Sequence, residues 1–208
     1  MRNIAVWTAI WVCLAGGAFG AGQRPNTERK DLKQPADIQG YPCAAGYAWF
    51  YDGGALSSCR LARDVPFGEA RVSAGSWITL TSDGKPGFVF LRHDARIGPA
   101  TCMGSAMGRE GIMTSFFPSG KLKECFLAGD QDIEGVPCVH GGFFSELFGG
   151  SAATQFYENG GLRSCRLARA ATVRGKQFSS GARVELDEAG RVKYAGAGDS
   201  VLENPNGF

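Results

Sequence analysis

Cys43, Cys59, Cys102, Cys125, Cys138 and Cys165 are the residues whose type and spacing bear most directly on chemistry. Thiols in such numbers ligate a soft metal, turn over as a redox pair, or close as disulfides. The chain has no Cys-x-x-Cys and only two histidines, His93 and His140. A zinc set therefore lacks both its usual spacing and its nitrogen ligands, and a thiol redox pair lacks its motif. The seventh cysteine, Cys13, lies in an apolar leader. The even set that remains, in a chain that carries an export signal, points to disulfides. Repeat symmetry favours Cys43–Cys59, Cys102–Cys125 and Cys138–Cys165, although pairing between neighbouring units satisfies the same count.

Acid–base chemistry has fewer candidates. His93 is followed by Asp94, but adjacent residues on a strand point to opposite faces, so the two do not form a dyad. No Gly-x-Ser-x-Gly elbow accompanies either histidine, and both read as solvated surface residues. Asp83, Glu110, Glu124 and Glu158 are the carboxylates from which a glycosidase pair would have to be drawn. Acidic residues in turns ordinarily form the turn. The expectation is therefore no catalytic residue, no metal and no cofactor. The rival is an envelope polysaccharide or peptidoglycan hydrolase using a carboxylate pair that sequence does not place.

The compartment follows from the start of the chain. Met1-Arg2-Asn3 is polar with one positive charge, Ile4 to Leu14 is apolar apart from Thr8, and Ala15 to Ala21 is rich in small residues. These are the three parts of a secretory signal peptide, and the apolar run is shorter than the ~20 residues that span a bilayer. Residues 1–20 are read as that signal, 21–36 as a flexible lead-in and 196–208 as a tail, with the protein secreted or periplasmic and without a membrane span once cleaved. The 22 basic and 20 acidic residues nearly cancel, which argues against nucleic acid as a partner. With 31 glycines and plentiful aromatics, the composition suits a turn-rich β protein.

Internal repetition organises residues 37–195. Ile38-Gln39-Gly40-Tyr41-Pro42-Cys43 and Ile133-Glu134-Gly135-Val136-Pro137-Cys138 share Ile-x-Gly-x-Pro-Cys, and Ile97 stands in the same relation to Cys102. Each opening precedes a second element, Phe50 to Ala62, Phe116 to Ala128 and Phe156 to Ala168. These share aromatic-aromatic-x-x-Gly-x-Leu-x-x-Cys-x-Leu-Ala. A different element recurs at Gly75 to Lys85 and Gly181 to Arg191, where Ile78/Leu80 and Val184/Leu186 alternate with polar neighbours, as half-buried strands do. The units divide as A–B over 38–96, A over 97–132 and A–B over 133–195, the middle copy lacking its B hairpin. Gly-containing turns separate paired apolar runs throughout, giving five hairpins and about ten strands. The fold class is all-β: consecutive hairpins in an elongated or stacked antiparallel sheet, stapled by disulfides.

The hairpin core, running from Phe50/Tyr51 to Leu56, Phe117 to Leu122 and Tyr157 to Leu162, resembles bacterial variant MORN-type repeats. The resemblance covers the hairpin of each A unit, and the paired cysteines are additions to the family pattern. It implies an elongated sheet of stacked hairpins and an interaction or scaffold role without catalytic residues. An antitoxin-like or immunity role is a further implication by analogy.

Repeats offer an extended surface to partners, so the expected partner is a protein, a glycan or an envelope component. Trp49, Tyr51, Phe117 and Tyr157 are the aromatic candidates for that surface. Phe143, Phe144, Leu147 and Phe148 lie in an insertion of the third A unit, at a spacing that makes one apolar face of a helical turn. They serve as a cover over the sheet end or a lip over a binding surface. Arg60/Arg63 and Arg166/Arg169 recur in Cys-Arg-Leu-Ala-Arg, with Arg60 and Arg166 facing away from Cys and Leu. Such a row meets an acidic partner or protects strand edges.

Overall fold

Five loops of one bonding pattern set the architecture. In each, the residue entering the loop gives its N–H to the carbonyl four positions on and accepts the N–H three positions on, as in Tyr51 N to Ala55 O and Gly54 N to Tyr51 O. The pattern returns at Thr81, Phe117, Tyr157 and Asp187. The residue accepted from is always glycine, with φ between 75° and 88° at Gly54, Gly84, Gly120, Gly160 and Gly190. That left-handed position is the one glycine fills at no steric cost in a hairpin with a bulge.

The computed structural model describes residues 27–105, 112–141 and 153–195. It begins with β1 (Thr27–Leu32) and continues through five units. The first unit holds β2 (Ala36–Ile38), β3 (Tyr41–Tyr51) and β4 (Leu56–Leu61). The second holds β5 (Val65–Phe67), β6 (Ala70–Val72), β7 (Trp77–Leu80) and β8 (Pro86–Phe90). The third holds β9 (Ala95–Ile97), β10 (Ala100–Cys102), β11 (Met113–Phe116) and β12 (Leu122–Cys125). The fourth holds β13 (Gln131–Ile133), β14 (Val136–Cys138), β15 (Thr154–Phe156) and β16 (Leu162–Arg166). The fifth holds β17 (Ala171–Val173), β18 (Lys176–Phe178), β19 (Arg183–Leu186) and β20 (Val192–Ala195).

Every unit is a short hairpin followed by a long one; in the first, β3 serves both. The long hairpins join edge to edge in the order β1-β3-β4-β7-β8-β11-β12-β15-β16-β19-β20, and all pairs are antiparallel. The fold is all-β as expected, with no helix among the described residues. Nor is any described helix long and apolar enough to cross a membrane. Short-hairpin residues Phe67, Ile97, Ile133 and Val173 share one buried cluster with the inner sheet residues Leu56, Ile78, Val89, Leu122, Leu162 and Val184. A single sheet thus buries one face under a row of short hairpins and leaves the other open.

Three disulfides cross that core: Cys43–Cys59, Cys102–Cys125 and Cys138–Cys165, at sequence separations of 16, 23 and 27. Each joins the end of a short hairpin to the second strand of the long hairpin of its own unit, the pairing that repeat symmetry favoured. The second unit carries Val72 and Val89 at the two positions, both fully buried. Apolar contact replaces the bridge there.

Three expectations are corrected. The division into A–B, A, A–B gives way to five equivalent units, because each B element is itself a long hairpin preceded by a short one. The strand count doubles, because Ile-x-Gly-x-Pro-Cys is a hairpin in its own right. Its two-residue turn holds Gln39 at φ 51° and Gly40 at 87°, and Glu134 at 52° and Gly135 at 80°. The segment read as a flexible lead-in supplies β1, which pairs with β3 from Thr27↔Tyr51 to Leu32↔Gly46. The proposed signal (1–20) and tail (196–208) lie outside the described residues.

Candidate functional site

The open face of the sheet is where the units differ from one another. One row of side chains crosses it through register partners: Arg29↔Trp49, Trp49↔Ser58, Ser58↔Thr79, Thr79↔Phe88, Phe88↔Ser115, Ser115↔Glu124 and Glu124↔Gln155. A neighbouring row runs Arg60↔Trp77, Trp77↔Phe90 and Phe90↔Met113. In the first two units these rows put rings on either side of a floor of short hydroxyls. Trp49 and Phe88 stand three strands apart, about 14 Å at the usual strand spacing, with Ser58 and Thr79 between them.

This arrangement forms a groove of about 470 Å³, within the usual range for a small-ligand site. Tyr47, Trp49, Tyr51, Trp77, Phe88 and Phe90 supply its rings. Ser57, Ser58, Thr79 and Gly87 lie in its lining, whose described residues include no lysine, arginine, aspartate or glutamate. The rings brace one another: Tyr47 and Trp77 are 5.1 Å apart and tilted, Tyr47 and Trp49 are edge-on at 6.5 Å, and Phe88 meets Phe90 edge-on at 5.5 Å. The Arg29 guanidinium lies 4.4 Å from the Tyr47 centroid and bonds Asp31 at 3.1 Å, closing the β1 side. Tyr51 donates its hydroxyl hydrogen to the Leu80 carbonyl at 2.8 Å, tying the first long hairpin to the second.

The bulge position explains why the groove stops after the second unit. Each long hairpin leaves one residue of its second strand unpaired: Ser57, Gly87, Lys123, Arg163 and Lys193 in turn. In the third and fourth units the cation there lies over the ring that equals Tyr51, Lys123 at 5.9 Å from Phe117 and Arg163 at 5.8 Å from Tyr157. In the fifth, Lys193 pairs with Glu185 at 3.8 Å. The first two units carry serine and glycine at the bulge and so place no cation there. The Ser57, Ser58 and Thr79 hydroxyls make no side-chain hydrogen bond among the described residues, although Ser57 and Ser58 are only 6% and 4% exposed.

Of the expected surface residues, Trp49 and Tyr51 line the groove, whereas Phe117 and Tyr157 sit under their cations. Tyr157 keeps the tying bond of its counterpart, to the Leu186 carbonyl at 2.7 Å. Arg60 is exposed on the open face beside Trp77, and Arg166 stands opposite Arg183 and bonds the Gly181 carbonyl at 3.0 Å. Arg63 and Arg169 leave the basic row altogether, pairing with Asp37 at 2.9 Å and Asp132 at 3.0 Å on their short hairpins. Phe143, Phe144, Leu147, Phe148 and Glu110 lie outside the described residues. Tyr47, Trp77, Phe88 and Phe90 were missed, although Tyr47/Trp49 and Phe88/Phe90 place rings at alternate positions of a strand.

The titratable candidates scatter. Asp83 sits in the second long-hairpin loop, its carboxyl held below the usual range by the Thr81 hydroxyl and by Lys85. Glu124 accepts from Gln155 at 3.0 Å, and Glu158 is exposed in a loop. Asp94 accepts the Gly104 N–H at 2.7 Å, leaving His93 without it. His140 is exposed, as expected of a surface histidine, and its ring Nδ1 lies 2.7 Å from Asp130, which also accepts the His140 backbone N–H at 2.8 Å. These bonds lower the Asp130 carboxyl, the backbone bond first. Asp64, Asp94 and Asp130 each accept a backbone N–H ten residues on, at Ala74, Gly104 and His140, so Asp130 occupies a structural position that recurs between units. Among the described residues no three metal-ligating side chains gather.

Comparison with protein-family models, with curated proteins and with solved structures returns no match.

Proposed function

We propose that this chain is an exported, non-enzymatic binding or scaffold protein of the cell envelope or extracellular space, and that the aromatic groove of its first two units takes the ligand. The observation that carries the reading is the interruption of an otherwise repeated surface. Five units share one backbone design, yet the first two carry serine and glycine at the bulge where the other three carry a cation, beside hydroxyls that make no side-chain hydrogen bond among the described residues. Maintaining the sheet does not require that difference, since the third and fourth units cover the same ring position with a cation.

Three buried disulfides support an oxidising compartment, and the leader-like start of the chain supports export. The equivalence of five hairpin units supports kinship with MORN-type repeats, with the short hairpin and the bridges as this chain's own additions. The hydrolase reading finds no support in the groove, whose described lining residues include no carboxylate.

The test is retention of the disulfide-intact protein on immobilised envelope polysaccharide, peptidoglycan and envelope protein fractions, compared with Trp77→Ala. Retention that falls with Trp77→Ala supports the reading. Release of soluble sugar that Glu124→Gln abolishes would establish the hydrolase instead.

A further inference from the structure

Resting on that reading, we infer that the groove takes an uncharged glycan, a run of pyranose rings laid across the open face of the first two units. A pyranose presents C–H bonds on its faces and hydroxyls around its rim. The π-face of an aromatic ring is electronegative and attracts such polarised C–H groups. The groove offers both halves of that chemistry in alternate positions, with Trp49 and Phe88 as walls and Ser58 and Thr79 as floor. Hydroxyls both donate and accept. The Ser57, Ser58 and Thr79 hydroxyls, which make no side-chain hydrogen bond among the described residues, therefore match a ligand whose groups also do both.

Other ligand classes meet less of this surface. An extended peptide adds to a sheet by its edge, whereas the groove floor is the face of central strands whose ladders are already paired on both sides. A polyproline segment would use the rings but offers carbonyl acceptors alone, and would leave hydroxyl acceptors at the floor unmatched. An anionic chain finds no cation among the described lining residues, and Arg29 at their border is already engaged by Tyr47 and Asp31. Walls about 14 Å apart span more than one sugar ring, so a chain should bind better than a monosaccharide.

The protein itself supplies the blocking variant. Ser57→Lys copies the lysine that the third and fifth units carry at the same bulge, so the backbone tolerates it, and it places an ammonium over Tyr51. The probes are cellohexaose, chitohexaose, laminarihexaose and xylohexaose with their monosaccharides, and a decaproline peptide, titrated calorimetrically into the full chain.

The expected result is binding of at least one hexasaccharide, tighter than its monosaccharide, with affinity reduced about tenfold or more by Ser57→Lys and by Trp77→Ala. Hexasaccharide binding unchanged by both variants would overturn the assignment of the site. Binding of decaproline alone, lost in Ser57→Lys, would overturn the glycan while leaving the groove as a binding site. If none of the hexasaccharides binds, the glycan inference is refuted, and the retention experiment with envelope fractions still judges the broader reading.

Discussion

Replacing Cys43 and Cys59 together by valine separates the covalent work of a bridge from its packing. The second unit carries Val72 and Val89 at the same two positions, fully buried, so the substituted unit has a native precedent for its contacts. The residue facing Cys59 across the β3–β4 pair is Ala48, smaller than the Ile78 that faces Val89, which leaves room for the added methyls. What is lost is the constraint on the unfolded chain. For a closed loop of 16 residues, the chain-entropy relation gives about 3 kcal/mol. For a chain of this length that lowers the melting midpoint by about 6–12 °C. The assay is equilibrium denaturation in guanidinium without reductant, comparing the double variant with wild type at equal slope. A loss below about 1 kcal/mol would refute the reasoning, since the bridge would then constrain little. Failure to fold would refute the equivalence of the first and second units.

Thr114 and Thr154 occupy the inner-face position held by Ala48, Ile78 and Val184 in the other units, and their hydroxyls are fully buried without a partner among the described residues. Thr114→Val or Thr154→Val should each raise stability by about 1–3 kcal/mol, read from the same denaturation curves. Gly54 and Gly120 share φ +84°, but a Cβ on Gly54 meets open space while one on Gly120 comes within 2.8 Å of the Gly68 Cα. Gly120→Ala should therefore cost more than Gly54→Ala by about 1–3 kcal/mol, a difference that cancels the shared backbone strain. Asp83, Asp130 and Asp187 all have folded values below the ordinary one, held respectively by the Thr81 hydroxyl, the His140 backbone N–H and the Arg191 backbone N–H. A lowered carboxyl adds stability that is fully present above its unfolded value of about 3.9 and is lost as pH falls through the folded one. Melting temperature should thus hold from neutral pH to about 5 and decline below about 4, and Asp130→Asn should make that decline shallower.

Much of the fold was legible because it rests on local signals. Glycine at the left-handed loop position, alternation at Ile78/Leu80 and Val184/Leu186, and paired cysteines in each A unit led to antiparallel hairpins with bridges inside units. The short hairpins were not legible, since three residues carry no alternation to read and Gln39, Glu134 and Arg174 adopt positive φ without being glycine. β1 was hidden for a different reason. As an edge strand, exposed through Glu28–Asp31, it carries the charges that keep an edge from pairing with another chain, and these resemble the composition of a disordered lead. The unity of A and B elements was masked because unit two replaces both cysteines with valine.

The groove was half legible. Trp49 and Tyr51 were identified as surface aromatics, but Phe117 and Tyr157 look identical to Tyr51 in the motif. What separates them is the bulge residue opposite, small at Ser57 and cationic at Lys123 and Arg163. Which side chain falls at a bulge is a matter of register, and a one-residue shift moves every side chain to the other face.

The most direct test of the central claim uses the tryptophans. Of the four in the chain, Trp7 and Trp11 fall in the segment expected to be a signal peptide, while Trp49 and Trp77 both line the groove. Their indole N–H resonances should move together, with one midpoint, as the tightest-binding hexasaccharide is titrated into isotope-labelled protein, and should stay in place in Ser57→Lys. Indole signals that remain fixed while calorimetry registers binding would put the ligand elsewhere and contradict the account.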